Sequence, residues 1–254
     1  MSLERYIDGL QAVLERIKTE QAANIKQAGQ FVAEALSANG VIHTFGTGHA
    51  HLIADEAFYR AGGIAAINPI LDERLIFLKG ALESTRAERE NGLAAKLIAR
   101  EDVRPEDAAI IISNSGRNAG PVEMALEMKA RHLKVIAITS LEQSRASTTR
   151  HYSGKRLYEL ADVTIDNCVP PGDALLTLSG SETRIGPAST VAGAAIINSI
   201  IIEAVSELRQ RGELVPVLPS ANVEGVSEQA LRDLLSPYKG RIRYLDVDEG
   251  TSAV

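Results

Sequence analysis

Two short stretches hold residue types that can bind an anion and move a proton: Phe45-Gly46-Thr47-Gly48-His49-Ala50-His51 and Ser113-Asn114-Ser115-Gly116-Arg117-Asn118. Each leaves an apolar, β-rich run and enters a helical pattern. A strand-to-helix turn aims backbone N–H groups and the positive end of the helix dipole at one place, and glycine lets an oxyanion approach the main chain. In the second stretch Ser113 and Ser115 add hydroxyls and Asn118 an amide, a donor set suited to a phosphate monoester, although Ser115 or Asn118 could equally cap the next helix. Gly46, Thr47, Gly48, Ser113, Asn114, Ser115, Gly116, Asn118 and Arg184 are the expected ligand contacts. His49 and His51 fall at a helix start, where the dipole favours a neutral imidazole able to shuttle a proton. Glu56, about two turns further on, lies off the apolar stripe of Ile53, Ala54, Ala57, Phe58 and Ala61, and completes the expected catalytic set of Glu56, His51 and His49. Glu182, beside Ser181, Thr183 and Arg184, is a spare base.

Other chemistries fit less well. Gly46-Thr47-Gly48 begins like a dinucleotide fingerprint, but His51 occupies the third glycine position and Asp72 lies too far along to hold a ribose. A metal site from His43, His49 and His51 would lack a completing Cys or Asp, and His43 falls within a strand. No cofactor and no metal are therefore expected. Cys168, the single cysteine, rules out an internal disulfide and reads as a small buried or loop residue. His132 and His151 read as surface residues.

The elements that must position these groups follow from periodicity. Leu10, Val13, Leu14, Ile17, Ile25, Phe31, Val32 and Leu36 predict one long helix or two in line, stopped by Asn39-Gly40. Strands are predicted at 41–45, 64–68, 108–113, 134–139 and 163–165, with helices at about 50–61, between 72 and 100, and at 119–131. Alternating strands and helices predict an α/β fold: a doubly wound, mostly parallel sheet flanked by helices. Beyond Asn167 the pattern gives a Pro170-Pro171-Gly172 loop, an extended piece near 175–178, a helix over 187–210 and another near 227–235. We read residues 1–254 as one domain, with an N-terminal helical segment 1–38 and a C-terminal extension 212–254. Ligands of such sheets sit at the carboxyl ends of the strands, where both glycine turns fall.

The formal net charge of −6 and the absence of a basic stripe predict no nucleic-acid partner. Arg145, Arg150, Lys155 and Arg156 read as a solvated face. Residues 1–26 have no apolar run of the signal-peptide kind, and the stretch 191–205 is interrupted by Asn198, Ser199 and Glu203, so a cytoplasmic protein with no membrane span is expected. The long apolar helices at both ends have more hydrophobic surface than one sheet face covers, which predicts a homodimer or homotetramer.

Gly46-Thr47-Gly48 after a strand, Arg104-Pro105-Glu106-Asp107 leading into Ile110-Ile111-Ile112-Ser113-Asn114-Ser115-Gly116, and Lys134-Val135-Ile136-Ala137-Ile138-Thr139 are together similar to the SIS (sugar isomerase) domain. The likeness covers about residues 10–210. Gly48-His49-Ala50-His51, Phe58-Tyr59-Arg60-Ala61-Gly62-Gly63 and Pro219-Ser220-Ala221-Asn222 resemble a stand-alone bacterial branch of that family. The resemblance implies a three-layer sandwich that binds phosphosugars, with Ser113, Ser115 and Asn118 on the phosphate and sites completed between subunits. It implies a cofactor-independent aldose–ketose isomerase, with two alternatives: a lyase of the muramic-acid-phosphate etherase type, for which the Glu83–Glu90 segment could give a second carboxylate, or a non-enzymatic phosphosugar sensor. The family's first-helix Glu position falls near Tyr59 or Arg60 here, and the helix over 187–210 has no His.

Overall fold

Short runs of Ile, Val and Ala make strands that are apolar on both faces, and such strands need helices above and below. The computed structural model describes all residues except 181, 221, 223–224 and 246–254, so Ser181, Ala221 and the end of the C-terminal extension lie outside the described residues. Strands β1 (Ile42–Gly46), β2 (Ile67–Pro69), β3 (Ala108–Ile112), β4 (Lys134–Thr139) and β5 (Val163–Asp166) form a parallel sheet in the order β2-β1-β3-β4-β5. Helices α1 (Ser2–Glu20) and α2 (Ala22–Ser37) precede it; α3 (His51–Glu56), α4 (Ala81–Ala87), α5 (Leu93–Ile98), α6 (Ala119–Ala130) and α7 (Leu141–Ala146) lie between its strands. A two-stranded antiparallel ribbon, β6 (Ala174–Thr177) with β7 (Arg184–Pro187), leads into α8 (Ser189–Gln210), and α9 (Glu228–Leu235) belongs to the tail.

Alternate residues of each strand serve opposite faces. Ile42, Ile110, Ile112, Ile136 and Ile138 pack with α1, α2, α3 and α8, whereas Phe45, Ile111, Val135 and Ala137 pack with α5 and α6. On the first face α2 and α8 approach closely at Gly29, where a Cβ would stand 2.6 Å from that of Glu203. By length and hydropathy α8 could cross a bilayer, which the interrupted apolar stretch did not suggest. Within the fold, its Ala192, Ile196, Ile197, Ile200, Ile201, Ala204 and Leu208 are core residues.

The structure departs from the sequence expectation at several points; the strand expected at 64–68, for one, is β2 at Ile67–Pro69. The helix expected to reach residue 61 ends at Glu56: Tyr59 takes φ 42°, and Gly62 N–H and Gly63 C=O pair instead with the main chain of Leu218. That pairing continues as the bridge of Ile64 with Val217 and ties down the tail. Pro187 ends β7 rather than starting a helix; its carbonyl accepts the Tyr6 hydroxyl at 2.7 Å, and α8 begins at Ser189. His151, expected at the surface, is buried at 4% exposure, its ring 2.8 Å from Ser153 Oγ and 3.5 Å from the Glu123 carboxylate.

At the amino ends of the strands a polar cluster anchors the tail. The buried Asp107 carboxylate accepts from Val41 N (2.7 Å), Arg104 N (2.8 Å), His43 Nε2 (3.0 Å) and Arg241 Nη2 (2.9 and 3.0 Å). Asn68 Nδ2 donates to Glu101 (2.9 Å) and to His43 Nδ1 (3.0 Å), which leaves the His43 proton on Nε2, facing Asp107. Burial pushes the Asp107 carboxyl up, but the hydrogen bonds from His43 and the two amides outweigh it and hold the group below the ordinary carboxylate range. Asp107→Ala is expected to lower the unfolding free energy by about 3–5 kcal/mol. Because the folded pKa is depressed, the advantage of wild type over Asp107→Asn should be constant above about pH 4 and shrink as pH falls through the folded value. Urea denaturation at a series of pH values measures both effects.

Candidate functional site

The β1–β3 register pairs Gly46 with Ile112, so Thr47 and Ser113 leave adjacent parallel strands side by side. A cavity of about 270 Å³ opens there, at the carboxyl ends of β1, β3 and β4. Each turn is held tight by a glycine. A Cβ on Gly46 would fall inside the Ala50 carbonyl group and 2.8 Å from His51 N. Gly116 has φ 58°, and a Cβ there would stand 2.9 Å from Ser144 Oγ.

The second turn is braced from behind and unspent in front. Ser113 N bonds to Ile138 O (3.0 Å), Gly116 N to Ser113 Oγ (3.1 Å), and the Gly116 and Arg117 carbonyls accept from Leu157 N and Arg150 N, both at 2.8 Å. The N–H groups of Asn114, Ser115 and Arg117 and the Ser115 hydroxyl donate to no acceptor among the described residues. Asn114 and Ser115 line the cavity. Asn114's side-chain amide is already engaged, giving Nδ2 to Gln143 Oε1 (3.0 Å) and accepting from Asn167 Nδ2 (2.8 Å), so only its main chain is available to a ligand.

Two long helices begin at this cavity, and they are not equivalent. At the start of α8, Asp173 accepts from Ala188 N (2.9 Å), Ser189 N (2.7 Å) and Ser189 Oγ (2.7 Å), so a carboxylate already satisfies that terminus. At the start of α6, Asn118 makes no side-chain cap. Its amide donates instead to Glu88 Oε1 (2.9 Å), and its oxygen accepts from Arg150 Nη1 (3.0 Å). The unengaged amides therefore lie on the α6 side of the cavity.

Glu88 is the residue that the sequence pattern placed only within the acidic Glu83–Glu90 segment. Thr47 Oγ1 donates to its Oε2 at 3.0 Å and Asn118 to its Oε1, so one carboxylate bridges the two glycine turns and lines the cavity. Gln143, Asn167, Asp173 and Ser189 also line it; they come from α7, two loops and the start of α8, and carried no motif.

The expected catalytic residues part company. His49 is exposed, tilted on the Phe77 ring at 5.1 Å, and lines the cavity. His51 is buried at 8% exposure and gives its Nδ1 proton to Gly48 O, with Phe77 edge-on at 5.8 Å; it stabilises the turn from outside the lining. Glu56 is held by Arg60 and by Asn198 Nδ2 (3.1 Å), also outside the lining. Arg184 lies exposed on β7, its Nη2 3.5 Å from Leu175 O, and Glu182 is exposed on the same hairpin. Cys168, at 4% exposure, has its thiol pushed up to about 11 by burial and by the neighbouring Asp166, which keeps it protonated.

Residues 5–140, more than half of the chain, match the SIS domain. The chain belongs to the SIS-domain family. A UPF0309 protein of Caldanaerobacter subterraneus subsp. tengcongensis is 41% identical over 96% of this chain and 100% of its own length. The SIS sheet also resembles phosphoheptose isomerases from Neisseria gonorrhoeae (TM-score 0.52, 14% identity, 81% of this chain and 97% of that one) and Francisella tularensis (0.52, 16%, 81% and 97%). At such identities the likeness is one of fold.

Because Gly46 touches the Ala50 main chain rather than a movable side chain, Gly46→Ala should cost about 1–3 kcal/mol of stability. Denaturant unfolding reads this, and an unchanged midpoint would mean the turn is looser than its geometry.

Proposed function

We propose that this SIS-domain protein binds a sugar phosphate and interconverts its aldose and ketose forms without a cofactor. The observation that carries the reading is the Glu88 carboxylate, which borders the same cavity as the unspent donors of the second turn. Phosphate oxygens would take the N–H groups of Asn114, Ser115 and Arg117 and the Ser113 and Ser115 hydroxyls, at the uncapped end of α6. The sugar's reacting carbons would then lie toward Glu88 and His49.

Isomerisation needs a base that removes the C2 proton of the aldose and returns it to C1, and a polar group that moves the hydroxyl proton between O2 and O1. Glu88 serves as the first and His49 as the second. His51 and Glu56 support them from outside the lining: His51 fixes Gly48, and Glu56 links α3 to α8 through Asn198. Elimination of the etherase kind calls for a second carboxylate, and Asp173, the other acid bordering the cavity, is committed to capping α8. The core residues of α8 support the cytoplasmic reading, with no nucleic acid or membrane as partner.

Proton NMR in heavy water, over a panel of pentose, hexose, heptose and N-acetylamino-sugar phosphates, tests the reading. One substrate should exchange its C2 proton and yield its isomer. Glu88→Gln should slow exchange by about 10²–10⁴-fold while the ligand still raises the melting temperature. Ser115→Ala should weaken binding by about 3–10-fold, the worth of one hydrogen bond. Binding without exchange in wild type would make the protein a sensor and overturn the isomerase.

Self-association accompanies this proposal. Leu3 and Ile7 on α1 (68% and 42% exposed) and Ile185 on β7 (52%) are apolar side chains that a second copy would cover. Light scattering should give a dimer or tetramer, and Ile7→Glu with Ile185→Glu should shift it toward monomer.

A further inference from the structure

Most arginines on this protein's surface face a carboxylate: Arg74 faces Glu83 and Glu90, Arg104 faces Asp102, Arg156 faces Glu159 and Arg211 faces Glu207. Arg89, Arg117 and Arg150 form no ion pair among the described residues, and each adjoins a residue of the cavity lining, Arg89 next to Glu88 in the chain, Arg117 next to Asn118, and Arg150 through its bond to Asn118. Arg150 reaches inward, its Nη1 3.0 Å from Asn118 Oδ1, and its main-chain N–H bonds to Arg117 O at 2.8 Å. Arg117 holds Thr148 Oγ1 at 3.2 Å through Nη2, while its buried Nε has no partner. Arg89 follows Glu88 directly in the chain.

Like charges gathered at a partly desolvated lip repel, and solvated side chains with no task would swing apart. Here Arg117 and Arg150 are braced by Thr148, Asn118 and the Arg117 carbonyl. Burial, then the charges of Arg117 and Arg89, draw Arg150 below the ordinary arginine range, and Glu88 is the acid that opposes them. Glu88 is itself shared with Thr47 and Asn118, so the lip retains a surplus of positive charge. The cavity's phosphate cradle, Asn114 and Ser115 with Ser113, lies on the loop that ends in Arg117 and Asn118.

We propose that the lip of Arg89, Arg117 and Arg150 binds a second oxyanion on the ligand, so that the substrate is a sugar phosphate carrying a further carboxylate or phosphate. This rests on the phosphosugar reading above. Guanidinium forks match the planar carboxylate and the phosphate face by paired N–H donors, and the buried Arg117 Nε is one such donor left without a partner among the described residues. The singly phosphorylated, otherwise neutral sugars would occupy the cradle and leave the lip unmatched.

Calorimetric titration separates the two ideas. Sorbitol 6-phosphate against 6-phosphogluconate tests the carboxylate, and fructose 6-phosphate against fructose 1,6-bisphosphate tests the second phosphate. At least one doubly anionic probe should bind about tenfold or more tightly than its partner, an advantage that falls steeply with added salt. In Arg117→Gln with Arg150→Gln the advantage should drop to within about twofold, and Arg150→Lys should recover part of it. Equal binding of both members of each pair would overturn the lip while leaving the phosphosugar reading intact. So would an equal loss for singly and doubly charged probes in the variant, which would assign the arginines to the phosphate itself. No binding of any probe to wild type would sink both.

Discussion

Everything at the site depends on one register: β1 pairs with β3 so that Gly46 lies opposite Ile112. Slipping the pairing by a single residue would turn Ile110 and Ile112 from one helix layer to the other and move Thr47 away from Ser113. The register is held at both ends. At the carboxyl end Gly46 fits against the Ala50 carbonyl, and at the amino end Asp107, just before β3, takes the amide of Val41, just before β1. A parallel sheet whose chain reverses direction of winding between β1 and β3 leaves a crevice there, and the register decides which side chains face across it.

Charge then decides how that crevice is used. Two helix N-termini offer a positive end, and Asp173 neutralises one of them. Asp173 reaches α8 because Gly172 and Asp173 itself both take positive φ, 83° and 70°, which turns the Pro170-Pro171 loop back on the sheet. The other terminus, at α6, has its capping residue diverted to Glu88 and Arg150. Spending Asn118 this way gives up roughly 1 kcal/mol of helix capping. The Gly120 amide is taken by Glu88 O (2.9 Å) and Pro121 has none, so the amides of the preceding loop are what the proposed anion would use, and the lost cap is an expected cost of a binding site placed at a helix end.

Much of this was legible in the sequence, and the parts that were not share a cause. The strands and their order of alternation with helices follow from apolar runs too short for helices, and both glycine turns stand out because they break those runs. Ser113, Asn114, Ser115 and Asn118 fall within one short stretch, so a local pattern could single them out. Glu88, Gln143, Asn167 and Asp173 converge from four separate segments, three loops and α7, and no local pattern contains information about which segments will meet. The early end of α3 has the same origin: the Gly62 and Gly63 main chain pairs with Leu218, a partner 155 or more residues away. His151 read as a surface residue because its partner, Glu123, lies on a helix that sequence order does not place beside it.

On the proposed mechanism, placing the carboxylate on the loop after α4 instead of on α3 has a consequence. A glutamate at Glu56 sits on α3 and is tied to Asn198 of α8, so it reports on how the two helices pack. A glutamate at Glu88 is tied to Thr47 and Asn118, one from each glycine turn, so under the proposal it would sense how those turns are occupied. Phosphate taking up the free amides beside Asn118 would draw on the same loop that orients the carboxylate. A base coupled in this way to its ligand's far end is set in place by the part of the substrate that does not react, which is how binding energy at a remote group is turned to use at the reacting carbon.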